Sequence, residues 1–251
     1  MIRAQQKVEL ESSGSNRPYK AASAILARLD LPPVSEEVQA ERARQEAARA
    51  LQQRVAEIDS RKRSLSMRVG KRYAKATLDG FNVTHEAQRE VVRHVSDYVD
   101  QIELRVSEGS GLFLIGPPGT GKDHLMAAVL FAAINKGLNA LWVDGMELFA
   151  GARDNIDTAK TEASWLSTYT KPDMLAISDP VPPLGSVKEG FQLATLFSVI
   201  DRRYRDMKPT LMTLNVSDRD EAERRMAPNI VDRLAHGAMV LRCDWPSYRK
   251  P

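Results

Sequence analysis

The run Gly116-Pro117-Pro118-Gly119-Thr120-Gly121-Lys122 constrains the chain more than any other segment. It follows a short apolar stretch at 112–115 and leads straight into Asp123-His124-Leu125-Met126-Ala127-Ala128-Val129-Leu130, which has helix-forming composition. Glycines let such a loop curl until its amide N–H groups converge on an anion, and the helix N-terminus adds a favourable dipole. Lys122 can then reach the terminal phosphates of a nucleotide. The expected phosphate-binding set is Gly116, Pro117, Pro118, Gly119, Thr120, Gly121, Lys122, Asp123 and His124.

The residues around this loop alternate between two periodicities. Strands are expected at 112–115, 140–143, 174–177, 210–214 and 239–241, and helices at 84–106, 122–136, 145–153, 189–206 and 218–226. Strands alternating with helices predict an α/β fold with a five-stranded parallel sheet covered on both faces.

Two positions depart from the usual phosphate-loop pattern. A Ser or Thr normally follows the lysine and ligates Mg²⁺, but here Asp123 stands there. A pair of acids normally ends a later strand, but 174–177 is followed by Ser178 and Asp179. Hydroxyl and carboxylate therefore read as a reciprocal exchange that keeps one of each near the metal, giving Asp123, Ser178 and Asp179 as the metal set. Decay of a weakly used ATPase would leave the same two substitutions. Asp179 is also the candidate to polarise the attacking water, with Asn215 at the end of the fourth strand to orient it. Arg233, on a helix ahead of the last strand, is placed to serve a neighbouring subunit's nucleotide, with Arg224 and Arg225 as nearby alternatives.

Ahead of this core, residues 1–33 form a tail with one helical turn or two around 24–29. From Ser35 the chain is rich in Glu, Ala, Arg and Gln and free of Gly and Pro up to Met67, which predicts a long helix with Ser35 as its cap. Leu51, Val55, Ile58 and Leu65 give it a narrow apolar stripe. Charge divides the chain at the same place: residues 1–75 carry 16 Lys and Arg against 9 Asp and Glu, and residues 76–251 carry 20 against 24. The division gives a helical, basic N-terminal region at 1–75 and an ATPase core at 76–251. The run 61–75 holds seven basic residues and no acid, which suits DNA or an acidic partner. With Cys243 as the single cysteine, neither an intrachain disulfide nor a Cys-based zinc site can form. Apolar runs such as 125–134 are too short for a membrane span, and a cytoplasmic protein is expected.

Taken in order, Arg72-Tyr73-Ala74-Lys75-Ala76-Thr77-Leu78, the loop at 116–125, Asp179, Asn215, Asp232-Arg233-Leu234 and Trp245-Pro246-Ser247-Tyr248-Arg249 resemble the AAA+ ATPases of the DnaC/DnaI helicase-loader group, whose relatives include the IstB transposition helpers. Only ten residues follow Leu241, which fits the lidless AAA+ core of that group. The resemblance implies an ATP-dependent loader that self-assembles through Arg233 in trans, grips a hexameric replicative helicase with its N-terminal region, and delivers it to single-stranded DNA. It further implies that the segment after the second strand faces DNA, with Phe149 for base stacking and Arg153 for phosphate, although Phe149 reads equally as a core residue of that helix. An IstB-like transposition helper, or a nucleotide-binding adaptor with weak or no hydrolysis, are the alternatives.

Overall fold

A computed structural model describes residues 35–156, 162–182 and 188–249. The turns expected at 24–29 lie outside the described residues. Two compact units are distinguished, Met1–Leu51 and Gln52–Pro251.

The described part of the first unit is the start of α1 (Glu36–Tyr73), where the Ser35 hydroxyl accepts a hydrogen bond from the Val38 amide at 3.4 Å. Its side chains are exposed throughout, Leu51 at 64%.

The second unit is built on five parallel strands: β1 (Leu112–Ile115), β2 (Ala140–Asp144), β3 (Met174–Ser178), β4 (Thr210–Leu214) and β5 (Met239–Arg242). They lie in the order β2-β3-β4-β1-β5. Side chains alternate between two cores, as the pleat requires. Leu112, Leu114, Met174, Ala176 and Leu211 enter one core, and Phe113, Ile115, Leu175, Ile177, Met212 and Leu214 the other. The first core is covered by α2 (Glu86–Asp100) and α4 (Lys122–Asn135), through Val91, Val95, Leu125 and Val129 among others. The second is covered by α5 (Gly145–Ile156), α7 (Glu189–Arg205), α8 (Arg219–Met226) and α9 (Pro228–Ala235), through Leu148, Leu196, Val199 and Ile230. Each fully buried Leu, Ile or Val contributes about 1.5–3 kcal/mol, and that burial on both faces makes the sheet the rigid frame of the molecule.

Several local outcomes differ from the sequence reading. The helix expected at 84–106 is broken at Gln101 (φ −97°, ψ 16°) into α2 and α3 (Ile102–Ser107). An additional helix, α6 (Glu162–Thr170), carries Trp165 and Tyr169, whose rings pack with centroids 5.2 Å apart. The compact second unit begins at Gln52, and Leu65 and Val69 of α1 are buried in its first core. The expected stripe thus ends in the core at Leu65, whereas Val55 is exposed. Gly70 (φ 72°, ψ 169°) breaks α1 and turns the chain toward 72–82.

Arg203, at the end of α7, is fully buried. Its guanidinium donates to the carbonyls of Tyr169, Pro172, Asp173 and Pro209 and to Thr210 Oγ1, at 2.7–3.2 Å. It ties the end of α7 to the chain entering β3 and β4. Among the described residues no helix is long and apolar enough to cross a membrane.

Candidate nucleotide site

Parallel strands end together, so the loops after β1, β3 and β4 meet at one edge of the sheet. Residues 116–121 leave β1 and curl into α4, whose first residue is Lys122. Gly116 (φ 137°) lies so close to the returning chain that a Cβ there would stand 2.6 Å from the Cys243 carbonyl oxygen. Gly121 (φ 90°) faces Phe81, with a Cβ at 2.6 Å from its ring. Both positions demand glycine for conformation and for space.

Lys122 is 94% buried and its Nζ donates to the carbonyls of Gly116 and Pro117, both at 2.7 Å. The ammonium is folded into the mouth of its own loop, on acceptors that phosphate oxygens can replace. Burial lowers its pKa, against the opposing pull of Cys243, Asp123 and Asp179. An anion arriving at the loop relieves that penalty.

The two departures from the usual pattern meet in space. Ser178 Oγ donates to Asp123 Oδ1 at 3.0 Å. Thr213, which sequence reasoning missed, donates its hydroxyl to the same oxygen at 2.8 Å and lies 3.4 Å from Ser178 Oγ. Ser178 and Thr213 are register partners on β3 and β4. A second threonine inside a mostly apolar strand was the available signal for Thr213. Asp123 Oδ2 has no hydrogen-bond partner among the described residues.

Beside this trio, Asn215 Nδ2 donates to Asp179 Oδ2 at 2.6 Å and its backbone N–H to Oδ1 at 3.3 Å. Asp179 takes φ 44°, a left-handed conformation that Asp tolerates better than most residues. The amide of Asp179 donates to the Thr213 carbonyl at 2.9 Å, so the strand-end pair is anchored in the sheet.

A cleft of about 260 Å³ opens against the loop. Tyr73, Phe81, Asn82, His124, Tyr248 and Arg249 form much of its wall, which brings together two stretches that the sequence reading used only for resemblance. His124 Nε2 donates to the Thr77 carbonyl at 2.9 Å, and the Phe81 ring meets the rings of His124 and Tyr248 edge-on, each with centroids 5.7 Å apart. The last described residues run across the loop. The Tyr248 amide donates to the Gly119 carbonyl and Trp245 Nε1 to the Thr120 carbonyl, both at 2.9 Å. Cys243 is buried beside Gly116, and burial pushes its thiol up to about 12.

The remaining sequence candidates lie elsewhere. Phe149 is fully buried in the second core, against the expectation that it stacks on a base: α5 turns that face inward to pack on the sheet. Arg153, on the same helix, is half-exposed. Arg233 on α9 is held by Asp201 of α7, with Nε to Oδ1 at 3.0 Å, and is not among the residues lining the nucleotide cleft.

Comparison with known proteins agrees with this architecture. The model of the IstB-like ATP binding protein family matches residues 35–251. The replicative helicase loader DnaC of Escherichia coli K12 is 24% identical over 180 residues, covering 70% of each chain. An ATP-binding protein of insertion sequence IS5376 from Geobacillus stearothermophilus is 26% identical over 213 residues, covering 80% of this chain and 78% of that one. A crystal structure of the DnaC helicase loader superposes with a TM-score of 0.60 at 26% identity, over 69% of this chain and 99% of that one.

Proposed function

Because the chain belongs to the IstB-like ATP-binding protein family, we propose that it is an ATP-dependent loader that binds a hexameric replicative helicase and delivers it to single-stranded DNA. The observation that carries the ATPase part is the Asp179–Asn215 pair, 2.6 Å apart at the sheet edge beside the lysine-bearing loop. The similarity to DnaC, a replicative helicase loader, supports the helicase as partner.

Binding begins at the loop. Phosphate oxygens take the place of the Gly116 and Pro117 carbonyls on Lys122, while the backbone amides of 119–121 and the start of α4 receive the polyphosphate. Asp179 accepts a proton from the attacking water or orients it, and Asn215 fixes the carboxylate that does so. Arg233 acts in trans on a neighbour's nucleotide, which makes assembly depend on ATP.

The donor set at Asp123 suits Mg²⁺, a hard cation that takes one or two carboxylates and keeps several waters. Ser178 and Thr213 hold one carboxylate oxygen, and the other makes no hydrogen bond among the described residues, which supports the reciprocal exchange. When bound, the ion would neutralise charge on the terminal phosphates. Arg153 remains available for a DNA phosphate, and the location proposed is cytoplasmic.

The test is ATP turnover by the full chain with and without single-stranded DNA. Stimulation of turnover by single strands over duplex supports the reading. The similarity over 213 residues to the insertion-sequence protein favours one second reading, a transposition helper. That reading predicts footprints on duplex DNA and no retention of a hexameric helicase.

A further inference from the structure

Asp201 stands away from the nucleotide cleft and holds two arginines at once. Its Oδ1 accepts from Arg233 Nε at 3.0 Å and its Oδ2 forms an ion pair with Arg205 Nη2 at 2.8 Å. Arg233 is fixed further by a hydrogen bond from Nη1 to the Asn229 carbonyl at 3.0 Å and by the Phe197 ring, 4.9 Å from its guanidinium carbon. Its Nη2 has no hydrogen-bond partner among the described residues. Arg205 uses Nη2 on the carboxylate and donates its Nε to the Asp201 backbone carbonyl at 3.4 Å, and its Nη1 has no hydrogen-bond partner among the described residues. Both guanidinium groups line one cleft of about 340 Å³, together with Tyr204, Lys208 and His236. Lys208 is already committed to the carbonyls of Thr170 and Lys171, at 2.9 and 2.6 Å.

An isolated exposed ion pair would mean little, because such pairs are weak and flexible. Here the carboxylate is largely buried, with 19% of its side chain exposed, and α7, which carries it, is fixed to the sheet by Arg203. A guanidinium bound along one edge and over one face keeps its outer edge in a fixed direction, the geometry that a bidentate phosphate contact needs. Arg205 has no ring contact and is 63% exposed, but the carboxylate that fixes Arg233 also holds its Nη2, so the two guanidinium groups are kept side by side, and two adjacent cations match a polyphosphate better than one does.

We infer that Asp201 is a positioning residue that presents Arg233 and Arg205 as a pair, and that Arg205 is a second contact to the polyphosphate of a nucleotide bound by a neighbouring copy of the chain. The inference rests on the reading that Arg233 acts in trans. The fold around it predicts that the pair is preset before assembly, so that ATP-bound neighbours meet an ordered two-arginine surface.

The experiment compares Arg233→Ala, Arg205→Ala, Asp201→Asn and Asp201→Glu in the full chain, with steady-state ATPase kinetics and far-UV circular dichroism for each. Arg233→Ala is expected to lower kcat by about 10³-fold, the usual scale for a trans arginine. Arg205→Ala and Asp201→Asn should each lower kcat by roughly 10-fold with KM and helical content kept, and Asp201→Glu should restore most of the rate, as oriented charge contacts of about 1.4 kcal/mol imply. Each slow variant is then mixed with Lys122→Ala protomers, which keep the arginine surface but bind no nucleotide. Recovery of turnover in the mixtures supports action across an interface. Native kcat in both Arg205→Ala and Asp201→Asn, or slow variants that the Lys122→Ala protomers do not rescue, overturns the inference while leaving Arg233 in place. Native kcat in Arg233→Ala overturns the trans reading itself, and this inference with it.

Discussion

Replacing Ser178 by Asp puts a second carboxylate beside Asp123, whose Oδ1 lies 3.0 Å from the native hydroxyl. Two like charges about 4 Å apart at an effective dielectric of 20 repel by roughly 4 kcal/mol. Asp123 is only half-buried, so solvent reduces this to about 2 kcal/mol, and loss of a hydroxyl donor to a charged acceptor adds about 1.5 kcal/mol. S178D should therefore cost the nucleotide-free protein about 3–4 kcal/mol, a fall in Tm of about 10 °C for a chain of this size. D123S removes the carboxylate and should weaken Mg²⁺-dependent nucleotide binding with little effect on Tm. The double variant D123S/S178D again has one carboxylate and one hydroxyl, with their positions exchanged. Thermal unfolding with and without Mg²⁺, and titration of a fluorescent ATP analogue, measure both quantities. The account expects the double variant to return to within about 1 kcal/mol of native stability and to regain the Mg²⁺ dependence. Additivity of the two single effects within about 0.5 kcal/mol would refute the reciprocal exchange.

Other outcomes follow from single features. R203L leaves four carbonyls and the Thr210 hydroxyl without their donor and should lower stability by about 3–5 kcal/mol, read by urea unfolding. Burial raises the Cys243 thiol to about 12 from its ordinary 9.0, so native protein should resist iodoacetamide at pH 8 and react once unfolded. The same shift has a sign for stability: its contribution is complete below pH 9 and is lost between pH 9 and 12, so the native-minus-C243A stability difference should shrink across that window. G121A should impair nucleotide binding by more than tenfold through its clash with Phe81 and its positive φ, and the additional truncation F81A should recover only the steric part.

The sheet was legible because a parallel strand buried on both faces needs an unbroken apolar run. Leu112–Ile115 and the stretch 174–177 are such runs, and Thr210–Leu214 is one broken only by its two threonines, at spacings that fit helical crossovers. The phosphate loop was legible for a different reason: its glycines and lysine answer to local geometry and to the ligand. The contact between Asp123 and Ser178 followed from treating two odd residues as partners. Thr213 did not follow, since its role depends on strand register, which a single sequence does not carry. Phe149 was open between a base-stacking role implied by resemblance and a core role, and the packing of α5 on the sheet decides for the core, which residue type alone does not. Arg203 and the Asp201 pair were invisible for a related reason. Each charge in the run Asp201-Arg202-Arg203-Tyr204-Arg205 reads alike in sequence, and only the packing of α7 decides which is buried, which is held and which is solvated.

The most direct measurement follows a labelled hexameric replicative helicase onto circular single-stranded DNA, with the full chain and ATP present. The account predicts that the native chain transfers the helicase and that Lys122→Ala, folded but unable to hold polyphosphate, does not. Equal transfer by the two proteins, or retention of the native chain on duplex DNA with no helicase bound, would contradict it.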